Sequence, residues 1–548
     1  MYFAIADMNA YNYLEARVNA RSAVMSDEQT QEQTTRIEAL APPLDIPPAE
    51  CLAVGPLDPC AIVIFGASGD LTSRKLIPAL YNLYVHDGLP KPFVVVGASR
   101  TPMSHEEFRE KLKSSCPAAD NKDPSRWEEF AANLYYQPVV YDSLDSFKDL
   151  ANFLRELDEK YHTGGNKVFD LAVPPHLYPL IAEMLGKAGL AQEKENDNGW
   201  SRIVVEKPFG HDLKTALELD LTLHRSFEED QIFRIDHYLA KETIQNILMF
   251  RFANAIFEPI WNRGYIAYVG IIAAEQLGVE DRAGYYEQAG VVRDMFQNHM
   301  MQVLALTAME PPSLFEAARV QAEKVKVFRS LKPLTEESQQ GNLILGQYGP
   351  GIMNGSKVTS YREEPGVSLT SLTPTFAMMR VFIDNWRWRG VPFYLVSGKR
   401  LARKITRIVV QFKRVPHSMF RNVLGQDILA NRLALGIYPQ ERITLTFQTK
   451  YPGARSCLRP VTMDFYYDQN YSGPVLDAYE KVLLDCIQGD HMLFWRQDGV
   501  ELSWSFLTPI LEECETCFDR GERLHPYEAG SWGPKMAQKW MRLIIDEA

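Results

Sequence analysis

His299 falls in an apolar stripe with Val292, Phe296, Val303 and Leu306, at alternating spacings of four and three, on a segment that reads as a helix over 290–309. A histidine there is either a satisfied core residue or a base facing a closed site, where an ordinary pKa of about 6.5 suits proton removal at neutral pH. Asp236-His237-Tyr238-Leu239-Ala240-Lys241 opens a second segment, read as helical over 237–251 through Ile244, Ile247, Leu248 and Arg251. On a helix, His237 and Lys241 share a face, with Tyr238 beside them. Imidazole, ammonium and phenol together suit a phosphate. The plainer reading makes Asp236 a helix N-cap and the two bases a polar face. Glu206-Lys207-Pro208-Phe209-Gly210 follows an apolar run at 202–205. The carboxyl end of a strand in an open α/β sheet is where ligands bind, and Pro208 holds Lys207 extended. A polar loop is the alternative.

A fourth stretch suits a cofactor. Gly66-Ala67-Ser68-Gly69-Asp70-Leu71-Thr72 follows Ala61–Phe65, a short continuous apolar run that reads as a buried strand. Glycines in such a turn let backbone N–H groups approach a pyrophosphate at the start of the next helix. The next strand, Phe93 to Val96, leads into Gly97-Ala98-Ser99-Arg100-Thr101. An NAD site places a carboxylate there for the ribose 2′-hydroxyl; this chain has an arginine, which pairs with a 2′-phosphate. The expectation is NADP.

These stretches need elements to hold them. Helical spacing at Leu76, Ile77, Leu80, Leu83 and Tyr84 completes a strand–helix–strand unit. Further strands are expected at 134–140, 168–173 and 202–205, with helices between them, so about 60–235 reads as an open, mostly parallel sheet covered by helices. Beyond it, Ile443, Leu445 and Phe447 alternate with polar residues, as do Val461, Met463 and Phe465. Period two predicts antiparallel strands with one solvated face, hence an α+β second domain. The domains expected are a flexible, Gln/Glu- and Pro-rich arm at 1–58, a dinucleotide-binding domain at 59–235 and an α+β domain at 236–548.

The 548 residues carry 58 Lys+Arg against 70 Asp+Glu, a net charge of −12. That balance argues against nonspecific binding to nucleic acid or to an anionic membrane. No apolar run approaches the roughly 18–20 residues of a membrane span, and no secretory signal opens the chain. Seven cysteines, scattered and odd in number, exclude a fully paired disulfide framework and suit a reducing, cytoplasmic setting. Cys514 and Cys517 form a lone CxxC, read as two helical thiols, and no metal-ligand cluster is visible.

The motifs converge on a family. Gly66–Thr72, Leu171-Ala172-Val173-Pro174-Pro175, Glu206–Gly210, Arg234–Lys241, Arg251-Phe252-Ala253-Asn254 and Pro259-Ile260-Trp261-Asn262-Arg263 resemble glucose-6-phosphate dehydrogenases. Arg293-Asp294 with Gln297-Asn298-His299, and Gly390-Val391-Pro392-Phe393 leading to Gly398-Lys399, continue the resemblance in the same order. It implies oxidation of C1 of β-D-glucose 6-phosphate to the 6-phosphoglucono-lactone with hydride transfer to NADP+, in the pentose phosphate pathway of carbohydrate metabolism. By the resemblance His299 is the general base and Asp236 the carboxylate that orients it. His237, Tyr238 and Lys241 are phosphate ligands, and Lys207 stands where sugar meets nicotinamide. Glu275 and Asp294 take sugar hydroxyls, and Lys399 and Lys404 close the sugar site. Gly66, Ala67, Ser68, Gly69, Asp70, Leu71, Arg100, Tyr178 and Lys207 line the cofactor. The implied fold is a Rossmann-like domain followed by a large antiparallel-sheet α+β domain, whose sheet makes the interface of a homodimer or homotetramer.

Some positions depart from the family pattern. Ala240 stands at a usual glycine, Gln276 at a usual proline and Tyr438 at a usual glutamine. Gly436 and Thr446 replace basic residues that hold a second, structural NADP in some members, so that site is expected to be absent. Two rivals remain: an NADP-linked sugar oxidoreductase of the glucose–fructose oxidoreductase type, and a non-catalytic sugar-phosphate or NADP sensor. The His237–Lys241 grouping speaks against the first and the presence of both His299 and Asp236 against the second.

Overall fold

Six strands follow one another along the first part of the chain: β1 Cys60–Phe65, β2 Phe93–Ser99, β3 Leu134–Pro138, β4 Lys167–Leu171, β5 Ser201–Val205 and β6 Ile232–Arg234. The computed structural model describes residues 57–116, 124–193, 199–335, 339, 341–420, 428–453, 457–467 and 476–545. The arm expected at 1–58 lies, up to residue 56, outside the described residues. The six strands form one parallel sheet in the order β3-β2-β1-β4-β5-β6. Every residue of β1 and β2 is buried, because helices cover both faces and each strand is therefore apolar throughout rather than alternating. β3 and β4 end earlier than their apolar runs suggest, at Pro138 and at Leu171 just ahead of Pro174-Pro175. Proline offers no N–H to a ladder.

The helices between these strands carry the expected signals. Ser104 and Glu107 cap His105–Ser115 reciprocally, and Asp212 caps Leu213–Leu223. Leu144–Tyr161 buries the stripe Phe147, Leu150, Leu154 and Leu157. The chain leaves β1 to build β2 and β3 on one side, then crosses back to build β4 to β6 on the other. The order reverses between β1 and β4, and the crevice above that point is the natural place for a ligand.

The second sheet has nine strands: β7 Ile266–Ala274, β8 Leu343–Gly349, β11 Phe376–Phe382, β12 Pro392–Gly398, β13 Ile405–Phe412, β14 Arg432–Tyr438, β15 Arg442–Lys450, β16 Leu458–Tyr466 and β17 Leu524–Glu528. A short hairpin, β9 Gly351–Met353 with β10 Ser356–Val358, stands apart. The order is β16-β15-β14-β13-β7-β12-β11-β8-β17. The expected sheet is there and mostly antiparallel, with two refinements: β12 runs parallel to β7, and β17 parallel to β8. Period-two patterning reports a half-covered face and carries no information on pairing direction.

The alternating residues do meet. Ile443 pairs with Phe465, Leu445 with Met463 and Phe447 with Val461. This end of the sheet is thinly covered, and Met463 is 61% exposed.

One element returns to the first sheet. Helix Ala478–Gln488 places Val482, Leu483, Cys486 and Ile487 in the same buried cluster as Ile62, Ile64 and Val95, and Asn82 donates to Glu480 at 2.8 Å. Its spacing announces a buried face but not which sheet covers it. No helix among the described residues is long and apolar enough to cross a membrane. Cys514 and Cys517 are free thiols.

Candidate active site

Three of the expected stretches leave strands of the first sheet at their carboxyl ends: Gly66 after β1, Glu206-Lys207 after β5 and Asp236 after β6. The turn after β1 is tight. Gly66 has φ +78°, and a Cβ there would stand 2.2 Å from the carbonyl oxygen of Ala172. Its N–H donates to the Ala98 carbonyl and to the Tyr141 hydroxyl, and the Gly69 N–H donates back to the Gly66 carbonyl at 2.8 Å. Thr72 Oγ1 donates to the same carbonyl, and the chain enters the helical stretch Thr72–Val85. Ser68 and Leu71 are partly exposed, while Gly69 and Asp70 are open to solvent, Asp70 pairing with Arg74 at 2.6 Å. Ala67 is buried against β2. Arg100 is exposed just past β2, 5.8 Å from the Tyr141 ring centroid, and Lys111 donates to the Ser68 carbonyl at 2.8 Å. A glycine turn, a helix start and basic side chains at the switch point fit a dinucleotide with an extra phosphate. Tyr178 is buried at the start of helix Tyr178–Lys187, its hydroxyl held neutral by burial and by the nearby Glu206 and Asp170 carboxyls.

The stretch 236–241 departs from expectation. It is a turn rather than a helix, and the helix begins at Glu242. Asp236 therefore does not cap that helix. Its Oδ1 accepts the Tyr238 N–H at 3.0 Å, closing a local turn that competes with helix. The turn still gathers the three expected side chains. Tyr238 stacks on His299 with ring centroids 4.1 Å apart, His237 meets His299 edge-on at 4.7 Å, and the Lys241 ammonium lies 4.0 Å above the Tyr238 ring.

The second departure lies in the segment around His299. The apolar stripe is buried as expected, but Val292–Met300 is wound as a π-helix, with i→i+5 hydrogen bonding, following a break at Gly290 where φ is +58°. Five residues advance about 500° in an α-helix, which would turn Asp294 away from His299. The wider winding puts both beside Lys207. The Lys207 ammonium donates to the Asp294 carbonyl at 3.1 Å and lies 3.4 Å from Asp294 Oδ1 and 3.0 Å from His299 Nε2.

His299 Nδ1 lies 2.6 Å from Asp236 Oδ1, with both residues 1% exposed. An ammonium only donates, so Nε2 is the accepting nitrogen and Nδ1 carries the proton toward Asp236. Burial pulls the His299 pKa down, Asp236 pushes it up and Lys207 adds to the fall, so the ring is net lowered and neutral at pH 7. Burial would raise Asp236, but His299, His237 and the Tyr238 N–H outweigh it and keep the carboxyl ionised. Asp294 is likewise held down at about 2, because Lys207, Lys399 and Arg282 outweigh its burial. His237 is driven down to about 3 by burial and by the neighbouring His299, Lys207 and Lys241 charges.

The second sheet closes the other side. Glu275 follows β7 and Lys399 follows β12, and because these strands run parallel their ends lie together, with the Glu275 N–H on the Gly398 carbonyl at 2.9 Å. Lys399 Nζ lies 2.6 Å from Glu275 Oε2 and 3.9 Å from Asp294 Oδ2. Lys404 is exposed 4.3 Å above the Tyr438 ring and adds to the positive charge that lowers Lys241. The structure thus brings His299, Asp236, Lys207, His237, Tyr238, Lys241, Asp294, Glu275 and Lys399 into one connected cluster, with Lys404 at its rim.

Sequence reasoning missed several members. Tyr285 donates to Asp294 at 3.4 Å, and the Tyr286 ring lies 5.0 Å from Lys399. Their place some two turns ahead of a motif carrying Asp294 and His299 was the available signal. Burial raises Glu206 to about 7, with Tyr479 of the returning helix hydrogen-bonded to it. Asp220, His224 and Glu229 stand close enough to share a cation, but the Arg234 guanidinium already fills that space, 2.7 Å from Asp220 and 2.9 Å from Glu229.

Residues 63–246 match the family described as glucose-6-phosphate dehydrogenase, NAD binding domain, and residues 248–544 match glucose-6-phosphate dehydrogenase, C-terminal domain. The chain is 48% identical over 480 residues to the glucose-6-phosphate 1-dehydrogenase of Aggregatibacter actinomycetemcomitans, covering 88% of this chain and 95% of that one. It is 42% identical over 475 residues to the Bacillus subtilis enzyme of the same name, covering 86% and 95%. Among solved structures it resembles a glucose-6-phosphate dehydrogenase in complex with its substrate glucose-6-phosphate, at TM-score 0.82 and 34% identity, over 90% of this chain and all of that one. A Mycobacterium avium glucose-6-phosphate 1-dehydrogenase aligns at TM-score 0.73 and 32% identity, over 88% and 97%.

Proposed function

The chain belongs to the glucose-6-phosphate dehydrogenase family and is an NADP-dependent oxidoreductase of glucose 6-phosphate, and we propose that His299 is the base of its reaction, held in the reactive tautomer by Asp236. The observation that carries this reading is the position of His299, with Nδ1 on the Asp236 carboxylate and Nε2 turned to the Lys207 ammonium. The sugar phosphate docks on His237, Tyr238 and Lys241, with Lys404 at the rim. That remote binding energy fixes C1 against Nε2. Asp294, Glu275 and Lys399 take ring hydroxyls, and their mutual ion pairs fix each acceptor and donor before substrate arrives.

The C1 hydroxyl hydrogen-bonds to Nε2 in place of Lys207, whose ammonium turns to the sugar oxygen. His299 takes the hydroxyl proton, C1 loses its hydride and the C1–O bond becomes the lactone carbonyl. Asp236 stabilises the imidazolium that forms, without itself taking the proton. The Gly66–Leu71 turn, Arg100, Tyr178 and Lys207 would hold the NADP+, which would supply the hydride acceptor. The phosphate-suited trio and the buried base leave neither a free-sugar oxidoreductase nor a sensor as the better account.

Several finer readings belong to the same proposal. The division at residue 235, the cytoplasmic setting and a homodimer or homotetramer built on the second sheet are ours. The thin cover over β15 and β16 supports the last. The deciding experiment compares initial rates with glucose 6-phosphate against free glucose, with NADP+ and NAD+ in parallel. Rapid NADP+ reduction with the phosphate ester alone is expected. Equal rates on free glucose would overturn the phosphate assignment, and bound but unreacted glucose 6-phosphate would overturn the base.

A further inference from the structure

One buried charge behind the site has no role in this scheme. Lys324 is 1% exposed, and its ammonium has no hydrogen-bond partner among the described residues. Asp236 Oδ2, the carboxylate oxygen that does not face His299, is also buried and without a partner among them. Lone buried polar atoms are costly, and more so when they carry charge.

Packing ties the helix that carries Lys324 to the segments around the site. Helix Ala317–Arg329 presents Gln321, Lys324 and Phe328 on one face. Gln321 donates to the carbonyls of His491 and Phe494, and Phe328 stacks on Trp495 at 5.6 Å. The Trp495 N–H donates to the Arg234 carbonyl at 3.0 Å, two residues before Asp236, and its indole donates to Asn298 beside His299. The face that carries Lys324 is thus fastened, through 491–495, to the two segments that hold Asp236 and His299.

We propose that Lys324 is a positioning residue for the dehydrogenase reaction: at longer range than an ion pair, it stabilises the buried Asp236 carboxylate and opposes protonation of His299. Asp236 attracts the ammonium and Arg496 repels it, while burial lowers it to about 7. Asp236 in turn faces His299 and His237, and His299 faces Lys207 and Asp294. Below neutral pH, where the base loses activity by protonation, Lys324 carries its charge.

This inference rests on His299 being the base, and the test separates the two. The pH dependence of kcat/KM for glucose 6-phosphate is measured at saturating NADP+ for the full chain and for Lys324→Met, Lys324→Gln and Lys324→Arg. Folding of each is checked by circular dichroism and thermal melting. Loss of the positive charge raises the proton affinity of the pair, so the acid limb should move up by about one pH unit in the Met and Gln variants. Lys324→Arg should keep it near wild type. An unmoved limb in a folded neutral variant, or an arginine variant that shifts like the neutral ones, overturns the proposal.

If the neutral variants do not fold, lysine 15N resonances decide. The Lys324 midpoint should fall in Asp236→Asn, and an unchanged midpoint overturns the proposal. Turnover retained in His299→Asn would instead sink the base assignment. Loss of turnover there, with an unmoved limb in Lys324→Met, would sink Lys324 alone.

Discussion

The Lys207 ammonium and the His299 imidazole meet at 3.0 Å, Nζ to Nε2, a distance at which they cannot both be cations at low cost. The contact therefore marks His299 as neutral, with its Nε2 lone pair facing the Lys207 ammonium. Asp236 on the far side fixes the tautomer.

His299→Asn should lower kcat by roughly 10²–10⁴-fold, the usual worth of a positioned base. Glucose 6-phosphate binding, read by calorimetry, should stay within about threefold, because the phosphate ligands are untouched. A variant that loses binding along with turnover would place His299 in the phosphate site instead.

The two partners of the imidazole should move its titration in opposite directions. Asp236 raises the His299 pKa and Lys207 lowers it. The acid limb of kcat/KM should shift to lower pH in Asp236→Asn and to higher pH in Lys207→Gln, with kcat falling in both. Shifts of the same sign would show that neither acts through the imidazole.

His237 predicts a proton linkage. Without an anion its pKa lies at about 3, so it is neutral at pH 7. A bound phosphate favours the imidazolium, and the affinity gained appears as proton uptake that weakens as pH rises. Titration calorimetry in buffers of different ionisation heat should show net uptake on binding in wild type and less in His237→Asn.

Cofactor choice should rest on Arg100. A charge-assisted bond to a 2′-phosphate is worth about 1.5–3 kcal/mol, so Arg100→Ala should raise KM for NADP+ by roughly 10–100-fold and leave that for NAD+ almost unchanged. Equal loss for both would mean that the arginine acts on the common part of the cofactor.

The turn after β1 tolerates no side chain. Gly66→Ala combines a left-handed φ of +78° with a Cβ 2.2 Å from the Ala172 oxygen. It should cost at least ~2 kcal/mol, read as a lower Tm, and remove cofactor binding. An alanine variant with wild-type Tm would show that the turn relaxes freely.

The first sheet was legible because its strands are buried on both faces, and a five-residue apolar run such as Ala61–Phe65 has few other uses. The glycine turn, the arginine after β2 and the histidine inside an apolar stripe were legible for the same kind of reason. Each depends on near neighbours in sequence. The partnership of Tyr438, Lys404 and Lys241 was not, since it joins three separate strands and turns.

The sequence by itself determined the chemistry available: which residues could be base, cation or anion ligand, and on which kind of element they stand. Tertiary structure alone decided how they meet. The turn at 236–241, stabilised by Asp236 on the Tyr238 N–H, overrides a helical spacing. The π-winding at 292–300 turns Asp294 and His299 to one ammonium, though an α-period separates them. Parallel pairing of β7 with β12 sets Glu275 beside Lys399 across more than a hundred residues of chain. Hydrophobic periodicity records which face a segment buries. Winding, pairing direction and buried charge partners come from long-range packing, which no local pattern encodes.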